Sequence, residues 1–139
     1  MNIVIGAGNV GRALGGGWLK AGHKVTLAVR DPGGANATAL KKQGFGVVTT
    51  KDAAAAGVIV LAVPWAALSA VLKSLGSLVG KIVVDATNPL APDMSLAIAY
   101  NDSAAETVAR LAPGARVVKA FNTTVPTIWW TATTALASW

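Results

Sequence analysis

Residues 1–23, MNIVIGAGNVGRALGGGWLKAGH, decide how the rest of the chain is read. Met1 to Ile5 is a short apolar run of strand type. Gly6-Ala7-Gly8-Asn9-Val10-Gly11 follows at once as G-x-G-x-x-G, and a helical pattern starts inside it. In a strand-turn-helix unit Gly6 allows the tight turn out of the strand, and Gly8 lets backbone approach a pyrophosphate with no Cβ in the way. Gly11 lets the helix lie close against the sheet. A helix beginning near Asn9 aims free N–H groups and the positive end of its dipole at an anion. The six-residue pattern is weak alone, because glycine-rich loops are common. Placed directly after a strand, at the head of an alternating β/α chain, it points to a dinucleotide site.

The first helix reads as Val10 to Ala21, with Val10, Leu14, Trp18 and Leu19 on one face. Gly15-Gly16-Gly17 inside it costs about 1 kcal/mol per glycine relative to alanine. Gly22-His23 ends the helix, and His23, the single histidine, reads as a turn residue rather than a catalytic one. Lys24 to Val29 is the second strand and Arg30-Asp31-Pro32-Gly33-Gly34 the loop after it. A helix over 36–42, a strand over 47–49 and an Ala-rich helix over 52–56, capped near Thr50 or Lys51, follow. Val58 to Val63 is apolar throughout, as suits a central parallel strand. Pro64 starts a helix expected to run to Leu78, proline being well suited to a first helical turn. Lys81 to Ala86 is the fifth strand, and Met94 to Tyr100 is open between loop and short helix. Asp102 or Ser103 caps a helix over 104–111, with Ser103-x-x-Glu106 at capping-box spacing. Arg116 to Phe121 is the sixth strand. Such alternation implies an α/β fold, a doubly wound parallel sheet in a single domain. The expected strand order is 3-2-1-4-5-6, with ligand at the carboxyl ends of the strands. Residues 1–123 form that domain, and 124–139 a tail of undecided structure.

The end of the second strand separates NAD from NADP. NAD sites place a carboxylate there to accept from the ribose hydroxyls, whereas a 2′-phosphate is attracted by a guanidinium. In dehydrogenases with a similar G-H-x-V-x-x-x-x-x-P segment the acid takes the position of Val29, which can accept nothing. Arg30 comes next and favours NADP. Asp31 either reaches a ribose or caps the turn before Pro32. Along the same sheet edge, Ala62-Val63-Pro64-Trp65, Thr87-Asn88 and Asn122-Thr123 are candidates for the rest of the site. Asn88, Asn122 and Thr123 either orient a carboxamide or substrate, or merely make Asx-type turns. Asp85 and Lys119 fall within strands, where pairing is expected rather than catalysis.

Taken together, MNIVIGAGNVGRALGGGWLKAGHKVTLAVRDP, AVPW, VVDATNPL and ARVVKAFNT resemble the coenzyme F420-dependent NADP oxidoreductase family, from Met1 to about Thr123. The resemblance implies hydride transfer between NADPH and a deazaflavin. It implies that Gly6, Ala7, Gly8, Asn9, Val10 and Gly11 hold the pyrophosphate, that Arg30 holds the 2′-phosphate, and that Val63-Pro64 line the nicotinamide side. Hydroxyl residues that help bind phosphate in some members are replaced here by Ala7 and Val29. Members also continue well past the sixth strand, whereas this chain stops at Trp139. A truncated end, a packed terminal helix and an exposed aromatic patch for association are all open for Thr124 to Trp139, with Trp129, Trp130 and Trp139.

Composition limits the alternatives. The chain has 139 residues, 53% hydrophobic and 13% charged, which suits a globular domain rather than disorder. Its net charge of +6 fits a basic surface or an anionic ligand. Lys41-Lys42 is the single basic doublet and no nucleic-acid motif accompanies it. With no cysteine, disulfides and thiolate metal sites are excluded. No membrane span or signal peptide is expected, and a soluble cytoplasmic protein is the default.

The leading expectation is an NADP(H)-binding oxidoreductase, with F420, a flavin or another small molecule as hydride acceptor and a homodimer as a further option. No catalytic side chain and no metal ligand set is assigned. Hydride transfer between stacked rings depends mainly on proximity and orientation. Ketone or imine reduction needs a proton donor as well. Pyrroline-carboxylate reductases and hydroxyacid dehydrogenases, whose catalytic residues come from a further domain, are the second enzyme reading. A non-catalytic or truncated NADP-binding module is the rival from another class.

Overall fold

The computed structural model describes residues 2–98 and 102–123. Six parallel strands form one sheet: β1 (Asn2–Gly6), β2 (Lys24–Val29), β3 (Gly46–Thr49), β4 (Val58–Leu61), β5 (Ile82–Asp85) and β6 (Arg116–Lys119). Their order across the sheet is β3-β2-β1-β4-β5-β6. Chain direction reverses its walk across the sheet between β1 and β4. Four helices connect the strands: α1 (Asn9–Lys20), α2 (Ala35–Lys42), α3 (Leu68–Leu75) and α4 (Ala104–Leu111). The expected α/β fold with a parallel sheet is what the chain adopts.

Apolar side chains divide between two faces. Leu14 of α1 and Leu40 of α2 pack with Val25 and Leu27 of β2 and Val60 of β4. On the other face Leu68, Leu72 and Leu75 of α3 and Val108 of α4 pack with Ile59 and Leu61 of β4 and Val83 of β5. The apolar run in β4 is thereby explained, since successive residues enter opposite cores. Burial also settles the glycine run in α1. Three glycines cost about 3 kcal/mol in total, while burying one leucine returns about 1.5–3 kcal/mol. Leu14 is buried, Val10, Trp18 and Leu19 pack against the same core, and the helix continues unbroken to Lys20. It closes with Gly22 at φ 83°, whose N–H donates to the Leu19 carbonyl at 3.0 Å, while His23 N–H donates to Trp18 at 2.9 Å. That left-handed closure is the turn role expected of His23.

Several sequence expectations are corrected. The helix anticipated from Pro64 to Leu78 is split. Pro64 is extended, a 3₁₀ turn covers Trp65–Ala67, and α3 stops where Gly76 takes φ 72°. The Ala-rich helix is only a 3₁₀ turn, Asp52–Ala55. Its start is secured by Thr49, whose Oγ1 donates to Asp52 Oδ2 at 2.7 Å and accepts from Asp52 N–H at 3.2 Å. Up to Ile98, the 94–100 segment is not helical. Leu90 and Leu96 form an antiparallel bridge around a tight turn with Met94 at φ 67°, and Ala99 and Tyr100 lie outside the described residues. Only half of the anticipated capping box forms. Ser103 Oγ accepts from Glu106 N–H at 3.1 Å, but Ser103 N–H donates to Asp102 at 2.8 Å rather than to Glu106. The Trp-rich tail, 124–139, also lies outside the described residues.

Candidate functional site

All strands being parallel, their carboxyl ends and the loops leaving them share one edge of the sheet. The last three strands, β4, β5 and β6, end earlier than the sequence suggests, so Val63, Ala86 and Phe121 belong to these loops.

Within the opening loop the glycines have different tasks. An added Cβ on Gly6 would stand 2.8 Å from the Ala62 carbonyl oxygen and 3.0 Å from Val63 Cγ1. Glycine is therefore needed there for the approach of the chain leaving β4, not only for a turn. Gly8 is the opposite case. Its backbone is extended, at φ −74° and ψ −176°, which any residue can adopt. An added Cβ would lie 3.7 Å from the Ala62 oxygen, an ordinary contact. Nothing among the described residues requires glycine at position 8, and its missing side chain leaves room in a cleft for something else. Gly8 is also the N-cap of α1, whose first turn carries no acidic residue. Free N–H groups and the positive dipole end therefore face that space without competition. Gly11 is buried in α1.

That cleft, of about 320 Å³, is lined by Gly8, Asn9, Val10, Ala62, Val63, Pro64, Trp65, Ala86, Thr87 and Asn88. A neighbouring one of about 470 Å³ is lined by Ala7, Ala28, Val29, Arg30, Asp31, Gly34, Ala35 and Asn36. The structure thus brings Gly8, Asn9, Val10, Val63, Pro64 and Asn88 together in the first, and Ala7 and Arg30 in the second. Gly6 and Gly11 border neither.

In the second cleft Arg30 is exposed. Asp31 Oδ1 accepts from Gly33 N–H at 3.0 Å, and a Cβ on Gly34 would meet Asp31 Oδ2 at 2.7 Å. Asp31 therefore caps its turn, the second of the two roles open to it. Arg12 escaped the sequence reading as a site residue. Its Nε donates to the Ala7 carbonyl at 3.1 Å and its Nη2 to Asn36 Oδ1 at 3.3 Å, so it ties the opening loop to the start of α2. Its place directly after Gly11 was a usable signal, but Asn36 becomes a neighbour only through the fold.

The loops after β5 and β6 are joined by side chains. Asn88 Nδ2 donates to the Asn122 carbonyl at 3.2 Å, and Asn122 Nδ2 donates to Asn88 Oδ1 at 3.4 Å. The two amides are partners across loops rather than separate Asx turns. Phe121, beside Asn122, takes φ 63° and packs edge-on against Trp18, with ring centroids 5.9 Å apart. Below them Asp85 and Lys119, opposite each other in register, form an ion pair at 3.0 Å, the pairing role expected of them. Thr87 donates to Asp85 Oδ1 through its N–H at 2.9 Å and its hydroxyl at 2.7 Å. Past Asn88, Asp93 Oδ1 accepts from the hydroxyl and N–H of Ser95, which hold its carboxyl below the usual range. Among the described residues no cluster of three or more metal-ligating side chains occurs, and no helix is long and apolar enough to cross a membrane.

The family described as NADP oxidoreductase, coenzyme F420-dependent, matches residues 3–89. Among solved structures, a hypothetical protein from Sinorhizobium meliloti is 32% identical, with TM-score 0.82 over 94% of this chain and 65% of its own. A protein from Arthrobacter sp. FB24, named as a candidate F420-dependent NADP reductase, is 33% identical, with TM-score 0.81 over 91% of this chain and 64% of its own. A reductive aminase from Aspergillus terreus, solved with NADPH and ethyl levulinate, is 27% identical, with TM-score 0.66 over 91% of this chain and 42% of its own. The chain therefore spans a little under two thirds of the first two relatives.

Proposed function

Because the chain belongs to the coenzyme F420-dependent NADP oxidoreductase family, we propose that residues 1–123 bind NADP(H) along the carboxyl edge of the sheet for hydride transfer. The observation that carries this reading is Gly8, a glycine that the protein's own packing does not require. Gly8, Asn9 and Val10, at the start of α1, hold the diphosphate through backbone N–H groups. Ala7 lies on the ribose side, and Arg30 holds the 2′-phosphate through paired, charge-assisted hydrogen bonds. Arg12 keeps the opening loop and α2 together around that pocket. Val63 and Pro64 form the apolar wall of the nicotinamide side, and Asn88 presents an amide beside them. Gly6 and Gly11 support the loop from behind.

Bound NADPH supplies the hydride. The chain's own part is to orient the cofactor and keep its reacting end against an apolar wall, which is where proximity lowers a barrier. The acceptor is a deazaflavin, a flavin or another small molecule.

Titration of the purified chain with NADPH and NADH, followed by NADPH oxidation in the presence of a deazaflavin or flavin, tests the reading. Tight NADPH binding with loss of the reduced-nicotinamide absorbance is expected. Binding without oxidation leaves a cofactor-binding module, and no binding overturns the assignment.

A further inference from the structure

Thr87 is held at every hydrogen-bonding group it has. Its N–H and hydroxyl both donate to Asp85 Oδ1, and its carbonyl accepts from Lys119 Nζ, which also pairs with Asp85 Oδ2. Asp85 is wholly buried, while the Lys119 side chain is 29% exposed. One step back on the same face of the sheet, the registered pair is Val83 and Val117, which pack in the apolar core. Burying the Asp85 carboxylate carries a desolvation cost that an apolar side chain avoids, even with its Lys119 partner part-exposed. Stability alone therefore favours an apolar residue such as Val83 over Asp85 at this level. What the charged pair does, and an apolar pair cannot, is fix a loop by direction.

The residue after Thr87 is Asn88, on the wall of the Gly8 cleft beside Val63 and Pro64. Its amide meets Asn122 of the loop after β6. The two loops are therefore tied at two levels, once beneath the cleft and once on its wall. We propose that the Asp85–Lys119 pair is a positioning element that holds Thr87 so that Asn88 stands at the reacting end of the cofactor. The inference rests on the reading of this cleft as an NADP(H) site. It adds that the pair serves the nicotinamide half and not the adenosine half, which lies against Arg30.

The test compares NADPH with adenosine 2′,5′-bisphosphate, which lacks the nicotinamide, on the full 139-residue chain. If the wild-type chain binds neither, the NADP(H) reading fails before any variant is made, and this inference with it. Given binding, Lys119→Met is expected to weaken NADPH by about tenfold, the scale of one well-placed charge-assisted hydrogen bond. Affinity for the bisphosphate stays unchanged, and Lys119→Arg recovers most of the NADPH affinity. Unchanged NADPH affinity, or an equal loss for both ligands, overturns the proposal. Should Lys119→Met fail to fold, Thr87→Val leaves the ion pair intact and removes only the hydroxyl tie. It is expected to weaken NADPH by about threefold with the bisphosphate unaffected. Equal effects on both ligands, or none, again overturn the proposal.

Discussion

The loop after β1 and the loops after β5 and β6 reach the same sheet edge by opposite means. At the first, the working surface is backbone. Gly8 contributes no side chain, and the start of α1 offers its N–H groups uncovered by any acidic neighbour. At the second, the backbone is held by side chains: Asp85 and Lys119 grip Thr87, and Asn88 meets Asn122, across 34 positions of sequence. A surface made of backbone leaves its mark in one short stretch, because the residues that form it follow one another in the chain. A surface made by a side-chain network leaves no local mark, because its members meet only once the sheet has formed.

The sharpest way to break that contrast lies within one motif. Gly8→Ala adds a methyl group that the protein accommodates at 3.7 Å. It is expected to leave thermal unfolding unchanged and weaken NADPH binding by about a hundredfold, through displaced phosphates. Gly6→Ala puts the same methyl 2.8 Å from the Ala62 oxygen, which belongs to backbone leaving β4. The expected result there is destabilisation by about 1–3 kcal/mol, as for other overpacked sites. Reversed outcomes, with Gly8→Ala unfolding and Gly6→Ala merely failing to bind, would refute the division of tasks.

A second measurement sharpens the comparison at the side of the first loop where a side chain does act. Arg30→Asp replaces attraction for a 2′-phosphate by repulsion. Hydrogen bonds to charged groups contribute about 1.5–3 kcal/mol, so NADPH affinity should fall by at least about tenfold while NADH affinity holds or improves. Unchanged NADPH affinity would remove Arg30 from the site. Across the cleft, Asn122→Leu removes the side-chain donor to Asn88 Oδ1 and leaves the backbone carbonyl that accepts from Asn88 Nδ2. A loss of about threefold for NADPH is expected, with none for adenosine 2′,5′-bisphosphate.

Much of the fold was legible because its signals are local. The apolar run from Val58, Gly22 closing α1, and every strand or helix pattern in the alternation each occupy one window of sequence. The opening loop and Arg30 could be located for the same reason. Element ends were less legible. Pro64 looks like a helix start, yet its extended backbone and the 3₁₀ turn after it carry Val63 and Trp65 into the cleft wall. Gly76, at positive φ, stops the helix before Leu78, which is nonetheless buried and so preserves the apolar pattern that suggested a longer helix. The role of the Asp31 carboxylate was not legible either, since both its roles use the same residue and differ only in where the side chain turns. Arg12 and Asn36 illustrate the remaining gap: each is unremarkable in its own segment, and only the approach of α2 to the opening loop joins them.

The smallest expected effect concerns a second ion pair, which serves as a control for the buried one. Asp102 accepts from Arg110 and from Ser103 N–H at the start of α4, with the two side chains 33% and 60% exposed. The Arg110 hydrogen bond, ahead of the Ser103 N–H, holds the Asp102 carboxyl below its usual 3.8. A carboxyl depressed in the folded state adds stability above its unfolded pKa and loses it as pH falls through the folded value. Protection of the α4 amides from hydrogen exchange should therefore decline as the solution is acidified from about pH 5 through the carboxylate range and below. The decline should be modest, weaken further in salt, and vanish in Asp102→Asn. Exposed to water at both partners, this pair can secure a helix start but has little power to aim a loop. If added salt loosened the 85–88 segment in step with α4, the Asp85–Lys119 pair would be behaving as one more surface contact, and the burial of Asp85 would have lent it no directing role.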